Sequence, residues 1–224
     1  MKETANPPIY ILLGKGEPAL GESHWFGYAD LPEDVMVPTI EEDGERYALT
    51  LICQLRIGEI RKHTEPHICE KWPFAGQDGL LLFFADVAYY RGDWDCPNIS
   101  LHPSDNRVCR VIFVPEERLD ELQCTSAYIC EEDEAKPIPL SFTGEKPKGL
   151  GVPELQLFGK TDRLEWETWP EECAGWELLL MMDSMEGEGY NYNFVDCGAL
   201  CFIIAPEALR AGDFSDVRAI ILST

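Results

Sequence analysis

Basic residues are scarce in this chain. Lysine and arginine total 18 against 41 aspartates and glutamates, a formal net charge of −23 and a pI of about 4.4. Such a chain repels phosphate backbones and anionic lipid headgroups at long range, so nucleic acid and membrane surfaces are not expected as partners. Histidine is rare too, with His24, His63, His67 and His102 the full set. Nine cysteines are present, but no CxxC pair, and the spacings of Cys124 to Cys130 and Cys197 to Cys201 suit neither a zinc knuckle nor a thioredoxin-type motif. The N-terminal apolar run, Ile9 to Leu13, is too short for a signal-peptide core, and no segment approaches the roughly 18 apolar residues of a membrane span. There is no G-x-S-x-G nucleophile elbow. In the glycine-bearing stretch 14–23 Glu22 stands where a P-loop needs lysine, and Pro18 interrupts a dinucleotide fingerprint, leaving a glycine turn.

What is present is an ordinary globular core composition, 45% hydrophobic with 11% aromatic residues. Six stretches rich in β-branched and aromatic residues predict strands: 47–57, 79–90, 107–114, 176–184, 198–205 and 217–223, with Ile9–Leu13 a seventh. Several are continuous apolar runs, so their sheet is expected to be covered on both faces. Helical signals are few. Segments 115–123 and 206–212 each open on Pro-Glu directly after a strand, and the second stops at Gly212. Asp43-Gly44 marks a surface turn. Cys53, Cys109 and Cys201 lie inside apolar runs, which predicts reduced thiols and a cytoplasmic setting.

Phe26, Gly27 and Asp30 are matched later by Phe158, Gly159 and Asp162, and in each case an apolar strand and a Gly-led apolar strand follow. The expectation is an α+β, β-dominated chain of antiparallel or mixed sheets with few short helices, one domain over 1–224. Two related halves, 23–123 and 155–223, would pack as one globule. Residues 130–154, with acids, then Pro and Gly, would connect them.

The stretches SHWFGYADLPEDVMVP, LTLICQLRIGEI, DGLLLFFADV, LFGKTDRLEWE and WELLLMMDSM, with the closing block CGALCFIIAPEALRAGDFSDVRAIIL, together resemble the YwqG-like family, a bacterial domain family of unknown function. The likeness runs over roughly residues 23–222 and rests on the order and spacing of these blocks. Gln54, Asp183, Ser184, Asp196 and Gly198 fall on matching positions. The chain departs from the pattern at NFVDCGALCF, where a Trp-Gly-Asp stretch is usual, and at Tyr28-Ala29, where a Gly-Gly or Gly-Arg pair is common. The resemblance carries over no catalytic residues. It implies an interaction role, since members resemble proteins found beside toxin–immunity genes.

Three constellations are candidates for chemistry or binding. His63, Glu65, His67 and Cys69 alternate and would share one face of a strand as mixed metal ligands, but Pro66 disfavours both ladder and helix. A polar loop is the preferred expectation there. Asp183 and Asp196 bracket the acidic loop SMEGEGYNYNFV, so a hairpin would bring two carboxylates together as acid and base, although Asp183 also suits a strand-ending turn. No spacing selects a Cys–His pair. The third, a partner-binding surface, is favoured: Glu131, Glu132, Asp133 and Glu134, together with Glu186, Glu188, Tyr190 and Tyr192, where aromatics flanked by acids suit a basic protein surface. The sequence thus predicts a non-enzymatic interaction domain without cofactor or metal, binding a basic protein, an immunity protein being the specific form. The alternative is an enzyme or small-ligand binder with a cleft between the two halves.

Overall fold

A computed structural model describes residues 6–42, 44–63, 76–91, 106–125, 136–149, 152–159, 173–187, 190–195 and 197–222. Along the chain the strands are β1 (Ile9–Leu13), β2 (His24–Trp25), β3 (Asp30–Pro32), β4 (Thr39–Glu42), β5 (Glu45–Ala48), β6 (Thr50–Arg56), β7 (Gly79–Ala85) and β8 (Cys109–Pro115). They continue as β9 (Leu122–Cys124), β10 (Ile138–Thr143), β11 (Leu155–Leu157), β12 (Glu177–Asp183), β13 (Met185–Gly187), β14 (Tyr190–Tyr192), β15 (Ala199–Ile204) and β16 (Arg218–Leu222). Among the described residues the helices are short: α1 (Ile57–His63), α2 (Pro206–Ala211) and two 3-10 segments, Ala88–Arg91 and Glu116–Glu121.

Ten strands make one sheet in the order β16-β15-β12-β11-β1-β10-β2-β6-β7-β8. Its ladders are all antiparallel, which resolves the antiparallel-or-mixed expectation. The sheet curls toward a barrel. Phe83 on β7 meets Phe202 on β15 edge-on at 5.2 Å between ring centroids, although six strands separate β7 from β15 along the sheet. Near the two outermost strands, the Cys109 thiol donates to the Val217 carbonyl (3.4 Å) and Asn106 Nδ2 to the Ser215 carbonyl (2.9 Å). Inside lies the main core, with Ile9, Trp25, Leu55, Leu81, Phe83, Leu180, Phe202 and Ile221 among its buried side chains. Each such side chain contributes about 1.5–3 kcal/mol on leaving water.

The alternate residues of the same strands are buried as well. Leu80, Leu82, Phe84 and Val114 pack outward with Leu31, Leu49 and Leu122. On the other arm Leu178, Met181, Cys201, Ile220 and Leu222 form a third cluster. Continuous apolar runs therefore mark strands covered on both faces, as the sequence indicates. Cys53, Cys109 and Cys201 are fully buried in these layers.

α1 extends where a strand end is expected. Ile57 and Ile60, one helical turn apart, both enter the core, and this burial outweighs the β-branched preference. The Pro-Glu segment after β8 forms a 3-10 helix, and the one after β15 an α-helix. α2 ends at Gly212 in the left-handed region (φ 66°), whose N–H donates to the Leu209 carbonyl while Asp213 N–H donates to that of Ala208. β4 and β5 pair as a hairpin whose turn holds Gly44 at φ 84°, while Asp43 of the expected turn lies outside the described residues.

Composition predicts a connection over 130–154. Instead Ile138–Thr143 is β10 at the middle of the sheet, paired with β1 on one side and β2 on the other. Proline at Pro137 and Pro139 hides the strand from a propensity reading. Pro139 pairs with His24 at the end of a two-residue ladder, where a missing N–H is tolerated.

The pairing pattern repeats on either side of the β1–β10 ladder, which is centred near the Leu12–Ser141 pair. Moving outward, β2, β6, β7 and β8 on one side take the places of β11, β12, β15 and β16 on the other. β6 bulges between Leu51 and Cys53, β12 between Leu178 and Leu180. Phe26 N–H donates to the Ile52 carbonyl (3.1 Å), Phe158 N–H to that of Leu179 (3.2 Å).

Candidate functional site

The site grows from a sharp elbow after β2. Phe26 and Gly27 both take positive φ, 55° and 73°, and turn the chain out of the sheet. A side chain on Gly27 would lie 2.9 Å from Pro137 Cβ, so glycine lets the elbow press against the segment entering β10. Phe158 and Gly159 form the same elbow after β11 (φ 57° and 76°), packed on Pro8. The strain of a non-glycine residue in this region is offset at Phe26 by complete burial and by a stack on Tyr192 with centroids 4.4 Å apart.

Past the elbow the chain reaches Asp30. This carboxylate is buried and held by neutral donors: Gly21 N–H and Gln54 Nε2 each donate to Oδ2 at 2.7 Å. Gln54, fully buried on β6, also donates to the Glu22 carbonyl (2.9 Å) and accepts from Asp30 N–H (2.9 Å). One amide thus ties the 14–23 loop to the elbow. A second clamp lies beside it. Arg56 Nε donates to Asp78 Oδ2 (3.0 Å), while Gly58 and Gly79 N–H donate to Oδ1. Burial pushes the Asp78 carboxyl up, but Arg56 and the two N–H groups outweigh it and hold it below the usual carboxylate range.

His24 is buried with its Nδ1 2.7 Å from the Phe26 carbonyl. That oxygen can only accept, so Nδ1 carries the proton and Nε2 keeps its lone pair. Burial lowers the His24 pKa against the opposing pull of Asp30, so the ring is neutral at pH 7. Gln156 has the matching role on β11, its Nε2 donating to the Phe158 carbonyl (2.8 Å).

Between the 14–23 loop, the elbow and the entry to β10 opens a cleft of about 450 Å³. Leu20, His24, Tyr28, Asp30, Cys124 and Lys136 line it together with Gly27 and Pro137. Its size is that of a small-molecule site. The glycine turn at 14–23 therefore forms one lip of the cleft.

The residues singled out from sequence fall differently. Glu186 is exposed on β13, opposite Asn191 of β14. Tyr190 lies on β14 opposite Gly187. Tyr192 does not present a surface ring: it is 2% exposed and stacks on Phe26. The cause is alternation, since Asn191 and Asn193 face out while Tyr192 and Phe194 face in. Glu131, Glu132, Asp133, Glu134 and Glu188 lie outside the described residues, as do Asp196, Asp162, Glu65, His67 and Cys69. His63 ends α1. The stretch between β12 and β15 is not a plain loop but carries the β13–β14 hairpin. Asp183 accepts from Glu154 N–H (3.1 Å) at the end of β12. Ser184 Oγ donates to the Gly198 carbonyl (2.7 Å) and accepts from Phe194 N–H (3.0 Å), fastening the hairpin. Among the described residues no three His, Cys, Asp or Glu side chains gather in a metal-binding group. None of their helices is long and apolar enough to cross a membrane.

Sequence reasoning missed that His24, Asp30 and Lys136 line one cleft. The available signal was Asp30, placed at a fixed distance after Phe-Gly.

Comparison with known proteins adds one finding. Residues 143–221 match the model of a domain of unknown function, DUF1963. That span runs from the end of β10 into β16. No curated protein matches the chain.

Proposed function

We propose that this chain is a non-enzymatic interaction domain that binds a basic protein, in its specific form an immunity protein that neutralises a cationic toxin. One observation carries the reading: the net charge of −23. Part of that charge is gathered. Glu33, Asp34, Glu116, Glu117, Asp120 and Glu121 are exposed around one 3-10 segment, with Arg118 bridging Asp34 and Glu121. Such a field speeds association with a cation by about 10–1000-fold at low salt. Glu131 to Glu134 and the Glu186, Glu188 and Tyr190 stretch are the contact surfaces assigned here. The YwqG-like likeness and a bacterial, cytoplasmic setting belong to the same proposal.

We further read the chain as an internal duplication. Supporting it are the matched registers, the two bulges, the two Phe-Gly elbows and the paired roles of His24 and Gln156. Those registers favour repeats over 8–115 and 137–222, each beginning one strand earlier than the sequence suggests.

The test is affinity capture from native lysate at low salt, eluted by a salt gradient. A stoichiometric basic protein should elute as salt rises, and reversing charge at Glu131–Glu134 and Glu186 should slow its association at least tenfold. Recovery of no specific partner would count against the reading, as would a partner whose association ignores salt. The alternative reading, a small-ligand protein, has its specific support in the cleft beside β2.

A further inference from the structure

The cleft wall holds a buried carboxylate that no cation among the described residues pairs with. Asp30 is 4% exposed, and carboxylates this deep ordinarily lie against a cation. Both groups bonded to its Oδ2, Gly21 N–H and Gln54 Nε2, are neutral. Among the described residues no lysine or arginine forms an ion pair with it, and none donates to its Oδ1. The carboxylate is also preorganised, since Gln54 bonds its oxygen and its own backbone N–H together. His24 lines the same cleft, and with Nδ1–H committed to the Phe26 carbonyl it offers Nε2 as an acceptor. The inner wall thus presents an anion and a neutral acceptor. Among the described residues the one cation lining the cleft is Lys136, which is exposed.

We propose that this cleft binds a small organic cation, an alkylammonium or alkylguanidinium compound, with Asp30 as its ion-pair partner and His24 Nε2 as a second acceptor. The proposal rests on the cleft being a ligand site and is independent of the acidic-surface reading. A guanidinium carries donors enough for both acceptors, and a cleft of about 450 Å³ accommodates a short alkyl tail against Leu20 and Pro137. Lys136 favours a ligand whose far end is neutral or carries a carboxylate.

The test titrates the full chain at pH 7, by NMR, with three probes of one shape: butylguanidinium, uncharged butylurea and butyrate. Butylguanidinium should bind and shift the signals of Asp30, His24 and Tyr28, with butylurea at least tenfold weaker. Asp30→Asn keeps an acceptor for Gln54 and should weaken butylguanidinium at least tenfold. His24→Gln is the second variant, because Gln156 caps the matching carbonyl on β11, and it should lose affinity a few-fold in a folded protein. Equal binding of butylguanidinium and butylurea would overturn the proposal, as would unchanged affinity in Asp30→Asn or shifts spread over the whole acidic surface. Binding of butyrate alone would overturn the cation while leaving a ligand cleft read by Lys136. Failure of all three probes on the folded chain would overturn the ligand cleft as well.

Discussion

A single buried amide decides the shape of the cleft wall. Gln54 makes three hydrogen bonds, two as donor and one as acceptor, with groups 24 and 32 residues away. Gln54→Leu fits the volume but strands the buried Asp30 N–H and takes the donor from the Glu22 carbonyl. The expected loss is about 1–3 kcal/mol, seen as a lower urea midpoint with unchanged slope. An unmoved midpoint would mean that the loop is not held by this amide. Asp78 makes a pH prediction. Its folded carboxyl lies below the ordinary value of 3.8, so its contribution is present above that value and is lost as pH falls through the folded one. Asp78→Asn should therefore destabilise at pH 7, with the gap from wild type closing in acid. His24 has the opposite charge type and a lowered pKa, so its protonation favours the unfolded chain as pH falls below 6.5. His24→Gln should flatten the stability profile in that window. Gln54 was legible as one polar residue inside an apolar run. Its partners were not, because hydrogen bonds over 24 and 32 residues leave no local periodicity.

At the level of elements, the two Phe-Gly elbows are the joints at which the chain leaves the sheet. Gly27→Ala would place Cβ 2.9 Å from Pro137 and force alanine to φ 73°, and Gly159→Ala would meet Pro8 at 2.7 Å with φ 76°. Each is expected to cost about 1–3 kcal/mol by thermal or urea unfolding, and to similar extents. A large loss at one elbow and none at the other would argue against their equivalence. Ser184→Ala removes the two side-chain bonds that help fasten the β13–β14 hairpin. Faster amide exchange should follow in 185–194, while that in β7 and β8 stays unchanged. Long strands were legible because burial on both faces writes continuous apolar runs. The two- and three-residue strands β2, β3, β9 and β11 were not, since their existence depends on a partner distant in the chain. The same limit hid Tyr192: alternation through β14 is plain only once its strand pairing is known.

For the whole molecule the consequential fact is where β1 and β10 sit. β1 pairs with β10 and β11, and β10 pairs with β1 and β2, so the strand opening each arm of the pattern lies between both arms. The connection expected at 130–154 is therefore partly the centre of the sheet, a role invisible to composition because Pro137, Pro139, Lys136 and Gly144 resemble linker residues. Cutting the chain between 125 and 136 tests the arrangement. The N-terminal fragment would keep β2 without its β10 neighbour, and the C-terminal fragment would keep β11 without β1. Each would expose an unpaired strand edge and part of the common core in which Ile9, Trp25, Leu157 and Phe202 meet. Expressed alone, the fragments should fail to give cooperative unfolding. Mixed, they should associate one to one and recover a single transition, in contrast to two beads that fold apart. The charge of −23 adds a second axis to the same experiment. Fragments that are both acidic repel one another, so recovery should be faster and more complete at 0.5 M salt than at low salt. Independent folding of either fragment would separate the arms and remove the ladder at β1–β10 as the element that makes one body of the chain.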